Sequence, residues 1–158
     1  MKIGIIVYSK TGNTYSVAAK IRDALQAKGA EVTLERFMAE TAAGSNKPIG
    51  LTYRPMCSGY DVLIFGAPVQ AFSLDPAMKM YFNEIYDLDQ VPTGIFITEH
   101  LKKAWMGGNQ ATRQLTALLK KKGNTPLFLG LVNWSSERKE SQIDAIVENC
   151  VRMMEDAK

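Results

Sequence analysis

Ser9-Lys10-Thr11-Gly12-Asn13-Thr14 is the stretch of this sequence that decides the fold. It follows an apolar, β-branched run over residues 3–8, which is typical of a strand covered on both faces. It precedes a helical pattern that begins at about Asn13, in which apolar residues recur every four positions at Val17, Ile21 and Leu25. The stretch is therefore predicted to be a tight turn between a buried strand and a helix.

Apolar runs and helical periods alternate along the rest of the chain. Further buried strands are predicted over residues 61–66, 94–98 and 127–132, and a half-exposed edge strand over residues 31–37. Helices are predicted after Asp75-Pro76, over residues 111–119 and over residues 143–154. Residues 39–43 are interpreted as a short helix leading into a loop. This order predicts an α/β fold with a five-stranded parallel sheet between two helical layers, a three-layer α/β/α sandwich.

Length and composition limit the class of protein. With 158 residues, 46% hydrophobic and 22% charged, the sequence predicts one globular domain over residues 1–158. It has no long uncharged apolar run and no signal peptide, so we expect a cytoplasmic protein without membrane association. A net charge of +3 does not predict nucleic-acid binding. Two cysteines predict neither a disulfide scaffold nor a metal site; Cys57 is expected to be exposed and Cys150 buried.

Ligands of a parallel α/β sheet bind beyond the carboxyl ends of the strands, where the strand order reverses. This rule selects the loops after Tyr8, after Gly66 and after Ile97. The first loop carries three hydroxyls, one side-chain amide and a glycine that lets the backbone approach a ligand closely. The helix start adds unpaired N–H groups and the positive end of the helix dipole, so this loop is predicted to bind an anion. The alternative is an unoccupied helix cap.

Competing phosphate motifs are absent from this turn, since neither Gly-x-Gly-x-x-Gly nor a Walker pattern ending in Gly-Lys-Ser/Thr occurs there. The turn instead resembles the flavodoxin signature Ser/Thr-x-Thr-Gly-Asn-Thr, at the place where flavodoxins carry it. The resemblance implies a flavodoxin-like sheet of strand order 2-1-3-4-5 and a noncovalent FMN. It also implies that six residues wrap the FMN phosphate: Ser9, Lys10, Thr11, Gly12, Asn13 and Thr14.

The second loop, Ala67-Pro68-Val69-Gln70-Ala71-Phe72, matches the loop that borders the flavin ring in flavodoxin-like proteins. It resembles the Gly-x-Pro-Val loop of flavodoxin-like reductases more than the Trp-Gly loop of electron-carrier flavodoxins. Phe72 either contacts the ring or packs under the next helix, and Gln70 either bonds the flavin edge or faces solvent. Residues 67–74 contain no glycine, so a peptide flip to positive φ costs on the order of 1 kcal/mol or more. A poorly stabilised one-electron-reduced flavin is therefore expected.

The third loop frames the other side of the flavin in this family, which implies binding by Thr98, Glu99, His100, Trp105, Gly107, Gly108 and Asn109. The glycine pair is expected to bring backbone N–H groups to O2 and N1 of the ring. Trp105 either stacks on the ring, which an indole matches in area, or covers the helical layer. His100, the only histidine, either donates to the flavin or substrate or lies on the surface. Lys102 and Lys103 have two interpretations. Their charges favour an anionic reduced flavin or an acidic partner, or they simply belong to a solvated loop.

An FMN-dependent redox protein is the function that these features favour, with no catalytic acid or base required. One version is a carrier that docks to a redox partner protein. The other is a small reductase that passes electrons from NAD(P)H to a quinone or similar small-molecule acceptor. A pI of about 8.8 counts against the carrier, because carriers usually have an acidic docking face. A length of 158 residues counts against the reductase, because the reductases of this fold are usually longer and oligomeric. A monomer or weak homodimer is expected, and a flavin-free module for another phosphate ligand is the alternative.

Overall fold

The computed structural model describes residues 1–45, 47–100 and 107–158. Strands and helices alternate along most of the chain. The strands are β1 (Lys2–Tyr8), β2 (Glu31–Thr41), β3 (Pro48–Tyr53), β4 (Val62–Gln70), β5 (Ser73–Leu74), β6 (Thr93–Glu99) and β7 (Leu127–Asn133). The helices are α1 (Asn13–Ala27), α2 (Pro76–Glu84), α3 (Gly108–Lys121) and α4 (Lys139–Asp156).

Five parallel strands form the centre of the sheet, in the order β2-β1-β4-β6-β7. This order confirms the predicted α/β class and the predicted 2-1-3-4-5 arrangement of the parallel strands. The predicted count of five strands is wrong, because β3 pairs antiparallel with β2 and the short β5 pairs antiparallel with β4. The described residues therefore form a mixed sheet of seven strands.

A hairpin of β2 and β3 occupies the place of the short helix predicted for residues 39–43, and corrects that prediction. β2 runs on to Thr41, and the chain turns back through Gly44, whose φ is +70°. The pairing shifts register between Met38 and Ala39 and again between Glu40 and Thr41. These irregularities interrupt the alternation of side chains between the two faces, so the sequence shows no regular strand period here.

The sheet separates two apolar layers, so that both faces of β1 are buried as its apolar run predicts. Ile5 of β1 and Ile21 of α1 belong to the layer that α1 and α4 cover, together with the buried Cys150. Ile6 of β1 belongs to the layer under α2 and α3. None of the helices in the described part of the chain is both long and apolar enough to cross a membrane.

Cys57 lies between β3 and β4 and is fully buried, which corrects the expectation of an exposed thiol. Its backbone N–H donates to Oδ2 of Asp87 at 2.8 Å, and its Sγ lies 2.9 Å from the hydroxyl oxygen of Tyr81. That hydroxyl donates to the carbonyl of Pro55, so the thiol is the donor to Tyr81. Burial raises the pKa of the Cys57 thiol to about 12, so the sulfur stays protonated and the residue is a packing anchor.

A two-residue turn, Ala71-Phe72, joins β4 to β5. Val69 pairs with Leu74 and Gln70 with Ser73, and the two turn residues have φ values of +49° and +64°. Positive φ at both central positions defines the type I′ turn that suits a tight hairpin, and Asn-Gly is the usual sequence there. The loop therefore adopts the left-handed conformation without a glycine, and its strain is already present in this structure.

We expect the substitution Ala71→Gly to raise the free energy of unfolding by about 0.5–1 kcal/mol. Relief of the left-handed strain is worth about 1–2 kcal/mol, and the greater freedom of glycine in the unfolded chain cancels part of it. Urea unfolding of the flavin-free protein measures the difference. The matched control is Ala27→Gly at the exposed end of α1, which should lower stability. Equal losses in both variants would contradict the assigned turn.

Candidate functional site

A pocket opens at the carboxyl ends of β1, β4 and β6, the edge of the sheet where ligands are expected in this architecture. The three predicted binding loops meet there, joined by a residue that follows β7. The lining residues are Lys10, Thr11, Asn13, Thr14, Pro68, Val69, Gln70, Asp75, Thr98, Glu99, His100 and Trp134. No group of His, Cys, Asp or Glu side chains suited to a metal ion occurs within the described ranges.

Ser9 and Gly12 shape the first loop from inside. Ser9 is buried, and its Oγ accepts the backbone N–H groups of Gly12 and Tyr15, both at 3.1 Å. Gly12 precedes α1 with a φ of +98°, a conformation that an L side chain disfavours. Neither residue is among the described lining residues, so both hold the turn in shape while their neighbours face the pocket.

The N-terminus of α1 forms one end of the pocket. The first N–H groups of a helix have no acceptor within the helix, which applies to those of Asn13 and Thr14. These groups and the helix dipole make the end positive. Lys10 and Thr11 line the same end and add an ammonium and a hydroxyl. The arrangement suits a phosphate, as the sequence of the turn predicts.

Two side-chain hydrogen bonds tie this loop to the end of β6. The Oγ1 atoms of Thr14 and Thr98 are 2.7 Å apart and buried. The side-chain amide nitrogen of Asn13 lies 3.0 Å from Nε2 of His100, to which it donates. His100 is exposed, as in the surface alternative, and its contact with Asn13 places it at the rim of the pocket.

The opposite wall is largely apolar. Pro68, Val69 and Gln70 reach the pocket from the end of β4. Trp134 reaches it from the far side, where its backbone N–H donates to the carbonyl of Glu99 at 2.7 Å. The Lys139 ammonium lies 4.9 Å from the centre of the indole. A flat aromatic ligand would find apolar surface on both sides here.

The remaining predicted residues of the second loop lie off the described walls of the pocket. Ala67 is fully buried within β4, and Ala71 is in the hairpin turn. Phe72 is 58% exposed, so in this structure it does not pack under the next helix. Its ring remains a candidate for contact with a bound ligand, as the sequence predicts.

Two predicted glycines of the third loop are needed for close packing against protein atoms. A Cβ on Gly107, where φ is +139°, would lie 2.7 Å from Cγ1 of Val69 and 2.9 Å from Cα of Phe72. A Cβ on Gly108 would lie 3.0 Å from Oε2 of Glu99. The start of α3 therefore rests directly on the hairpin and on Glu99. Asn109 is exposed, and the predicted Trp105, Lys102 and Lys103 lie outside the described residues.

Two buried carboxyl groups line the pocket. Asp75 caps α2, where Oδ1 accepts the N–H of Ala77 at 2.9 Å, as its position before Pro76 predicts. Burial raises the pKa of the Asp75 carboxyl, while the Ala77 N–H and Lys10 lower it. Glu99 is 2% exposed, and neither of its side-chain oxygens makes a hydrogen bond of good geometry with another described residue.

Burial raises the pKa of the Glu99 carboxyl, and the nearby N–H of Gly108 offsets part of that rise. The Gly108 N–H compensates this buried carboxyl only in part, so a ligand that supplied a polar partner would lower the cost of burying it. The group is therefore available to pair with a polar edge of whatever occupies the pocket.

Three residues on or beside this pocket were not among the predicted ligands: Asp75, Trp134 and Arg36. Arg36 of β2 donates from Nη2 to the carbonyl of Ser9 and, at 3.3 Å, to that of Lys10. Alternate residues of β2 face α1: Val32, Leu34 and Arg36. Arg36 is therefore a charged residue at a position that should be apolar, next to the end of β1, and this is the sequence signal that identifies it.

Comparison with known proteins defines the fold. No protein-family model matches this sequence, and no curated protein matches it either. The flavodoxin of Streptococcus pneumonia TIGR4 matches with a TM-score of 0.70 at 16% identity, over 99% of each chain. A short-chain flavodoxin associated with a PDU bacterial microcompartment matches at 0.68 and 18%, over 100% of this chain and 99% of its own.

A flavone reductase matches with a TM-score of 0.72 at 10% identity, over 99% of this chain and 63% of its own. At these identities the likeness is one of architecture. The chain has the flavodoxin-like fold, and the resemblance predicted from the first turn is confirmed at that level.

We expect Glu99→Gln to raise the free energy of unfolding of the flavin-free protein by about 1 kcal/mol at pH 7, because a neutral amide costs less to bury than a carboxylate. Since burial raises the folded-state pKa of Glu99, its ionisation removes stability as the pH rises through that value. The gain should therefore vanish toward about pH 4, where the carboxyl is protonated in the folded protein.

Urea unfolding at both pH values measures this difference. Glu137→Gln, at an exposed position, is the matched control and should leave stability unchanged at either pH. A gain from Glu99→Gln of the same size at both pH values would show that ionisation of this carboxyl is not its cause.

Proposed function

We propose that this chain is an FMN-binding redox protein that transfers electrons through a noncovalent flavin. The observation that carries the proposal is the pocket, which has a positive helix terminus at one end and an apolar wall at the other. FMN has the matching polarity, because a phosphate dianion and a flat aromatic ring stand at the two ends of its ribityl chain. When bound, FMN supplies the one- and two-electron chemistry.

The residues present fit the phosphate. The N–H groups of Asn13 and Thr14 and the hydroxyl of Thr11 would donate to it, and Lys10 would add a favourable charge. Ser9 would support the loop from inside, because its Oγ already accepts hydrogen bonds from two backbone N–H groups. Its hydroxyl hydrogen is still available to donate. These residues are the ones that the resemblance to flavodoxins assigns to the FMN phosphate.

The residues present also fit the ring. Pro68 and Val69 offer apolar contact on one side and Trp134 on the other. Gln70 and His100 supply polar groups at the rim. The buried carboxyl of Glu99 would accept a hydrogen bond from an N–H of the ring when ionised, or donate one to a carbonyl of the ring when protonated.

Of the two redox roles, the electron carrier is favoured by chain length. The chain covers 99% of the pneumococcal flavodoxin but only 63% of the flavone reductase. We propose a redox protein as the partner, with a small-molecule acceptor as the second candidate, and a monomeric or weakly dimeric protein in the cytoplasm. Steady-state NAD(P)H oxidation in the presence of a quinone separates the roles, since a carrier should show none above free FMN.

We expect Thr11→Val combined with Thr14→Val to weaken FMN binding by about 100-fold or more. The double variant removes the Thr11 hydroxyl, a charge-assisted donor to the phosphate worth about 1.5–3 kcal/mol. It also removes the buried hydrogen bond between Thr14 and Thr98 that ties the loop to the end of β6. Binding of riboflavin, which lacks the phosphate, should change little. Fluorescence titration of the flavin-free protein measures both affinities.

Thr116→Val, at a half-buried position of α3 that does not line the pocket, is the matched control for that titration. Unchanged FMN affinity in the double variant would refute the proposed phosphate site. A wild-type chain that binds inorganic phosphate but takes up no FMN would instead identify a flavin-free phosphate-binding module.

A further inference from the structure

We propose that Arg36 is a positioning residue for the phosphate, which fixes the first loop in its binding conformation and so sets the preference for FMN over riboflavin. This inference rests on the proposed function. Arg36 lies on β2, directly beside Val7 of β1, and its side chain crosses the end of β1 to the loop. There Nη2 donates to the carbonyl oxygens of Ser9 and Lys10.

The geometry of the peptide bond turns these two contacts into an orientation of the loop. In a trans peptide the C=O and the following N–H point in opposite directions. A Ser9 carbonyl held by Arg36 therefore directs the Lys10 N–H away from the guanidinium, and a Lys10 carbonyl held in the same way directs the Thr11 N–H away from it. Lys10 and Thr11 line the pocket, so N–H groups turned away from the guanidinium would be available to a phosphate there.

Among the described residues, the charge of Arg36 has no acidic partner. None of the ion pairs between described residues includes it, and its Nε is buried without a hydrogen-bond partner. Its guanidinium carbon lies 5.8 Å from the centre of the Tyr15 ring, which offers only a weak interaction. A phosphate dianion in the loop would supply the missing negative charge, so phosphate binding and the order of the loop should reinforce each other.

The test compares FMN with riboflavin, which differs from it only by lacking the phosphate, and with inorganic phosphate alone. Flavin-free full-length protein is titrated with FMN, with riboflavin and with inorganic phosphate, for the wild type, Arg36→Met and Arg36→Lys. Methionine keeps the unbranched apolar stem of the side chain without its charge or donors, and lysine restores a charge and a donor. Arg113→Met, at an exposed position on α3, is the matched control.

We expect Arg36→Met to weaken binding of FMN and of inorganic phosphate by about tenfold or more, with riboflavin affinity within about twofold of wild type. Arg36→Lys should recover a large part of the loss, and Arg113→Met should behave as wild type. A merely structural role for Arg36 would lower FMN and riboflavin affinities together and would overturn the proposal, as would unchanged FMN affinity in Arg36→Met.

The phosphate titration keeps this inference separate from the proposed function. A wild-type chain that binds phosphate but no FMN refutes the flavin site, while loss of phosphate binding in Arg36→Met still supports the role of Arg36. A wild type that binds neither overturns both. If Arg36→Met does not fold, as judged by its urea unfolding curve, Arg36→Lys against wild type gives the same comparison with a smaller expected loss.

Discussion

The position of β1 at the centre of the parallel sheet is the constraint on which the rest of the structure depends. It pairs with β2 on one edge and β4 on the other, and every residue after Lys2 is buried. β1 is therefore covered by a strand on each edge and by helices on each face. The chain can leave it only at the carboxyl edge of the sheet. There the chain must reverse into α1 within a few residues, which the left-handed Gly12 and the internally bonded Ser9 make possible. The first loop and its exposed helix terminus follow from that reversal.

The parallel strands and the first loop could be predicted because their signals are local. Buried parallel strands are continuous apolar runs, and the turn after Tyr8 carries its polar groups in six consecutive residues. The β2–β3 hairpin could not be predicted, because two register shifts remove its period. Arg36 and Trp134 were missed for a different reason. Arg36 contacts the first loop from the neighbouring strand β2, and Trp134 reaches the pocket from the segment after β7. Contacts between distant segments leave little local pattern in a single sequence, apart from the charge at an inward position of β2 that marks Arg36.

The pocket combines groups of opposite character in a small space. One end of the pocket is formed by the N-terminus of α1 and Lys10, and Arg36 contacts the loop beside it. The inner wall carries the buried carboxyl groups of Asp75 and Glu99. Lys10 lowers the pKa of Asp75, so the two ends are electrostatically linked. An anionic group is favoured at the helix terminus and disfavoured near Glu99. This gradient defines the direction in which an elongated ligand with one charged end can bind.

The contact between Thr14 and Thr98 joins residues 84 positions apart, and that between Asn13 and His100 joins residues 87 apart. Neither can form until β1, β4 and β6 have come together, although α1 itself needs only neighbours in the chain. A partly folded molecule with its first helix intact would still lack the assembled recognition surface. Binding of a small molecule should therefore occur only when the sheet is completely assembled. Such binding should stabilise the native state by mass action and leave partly folded intermediates unstabilised.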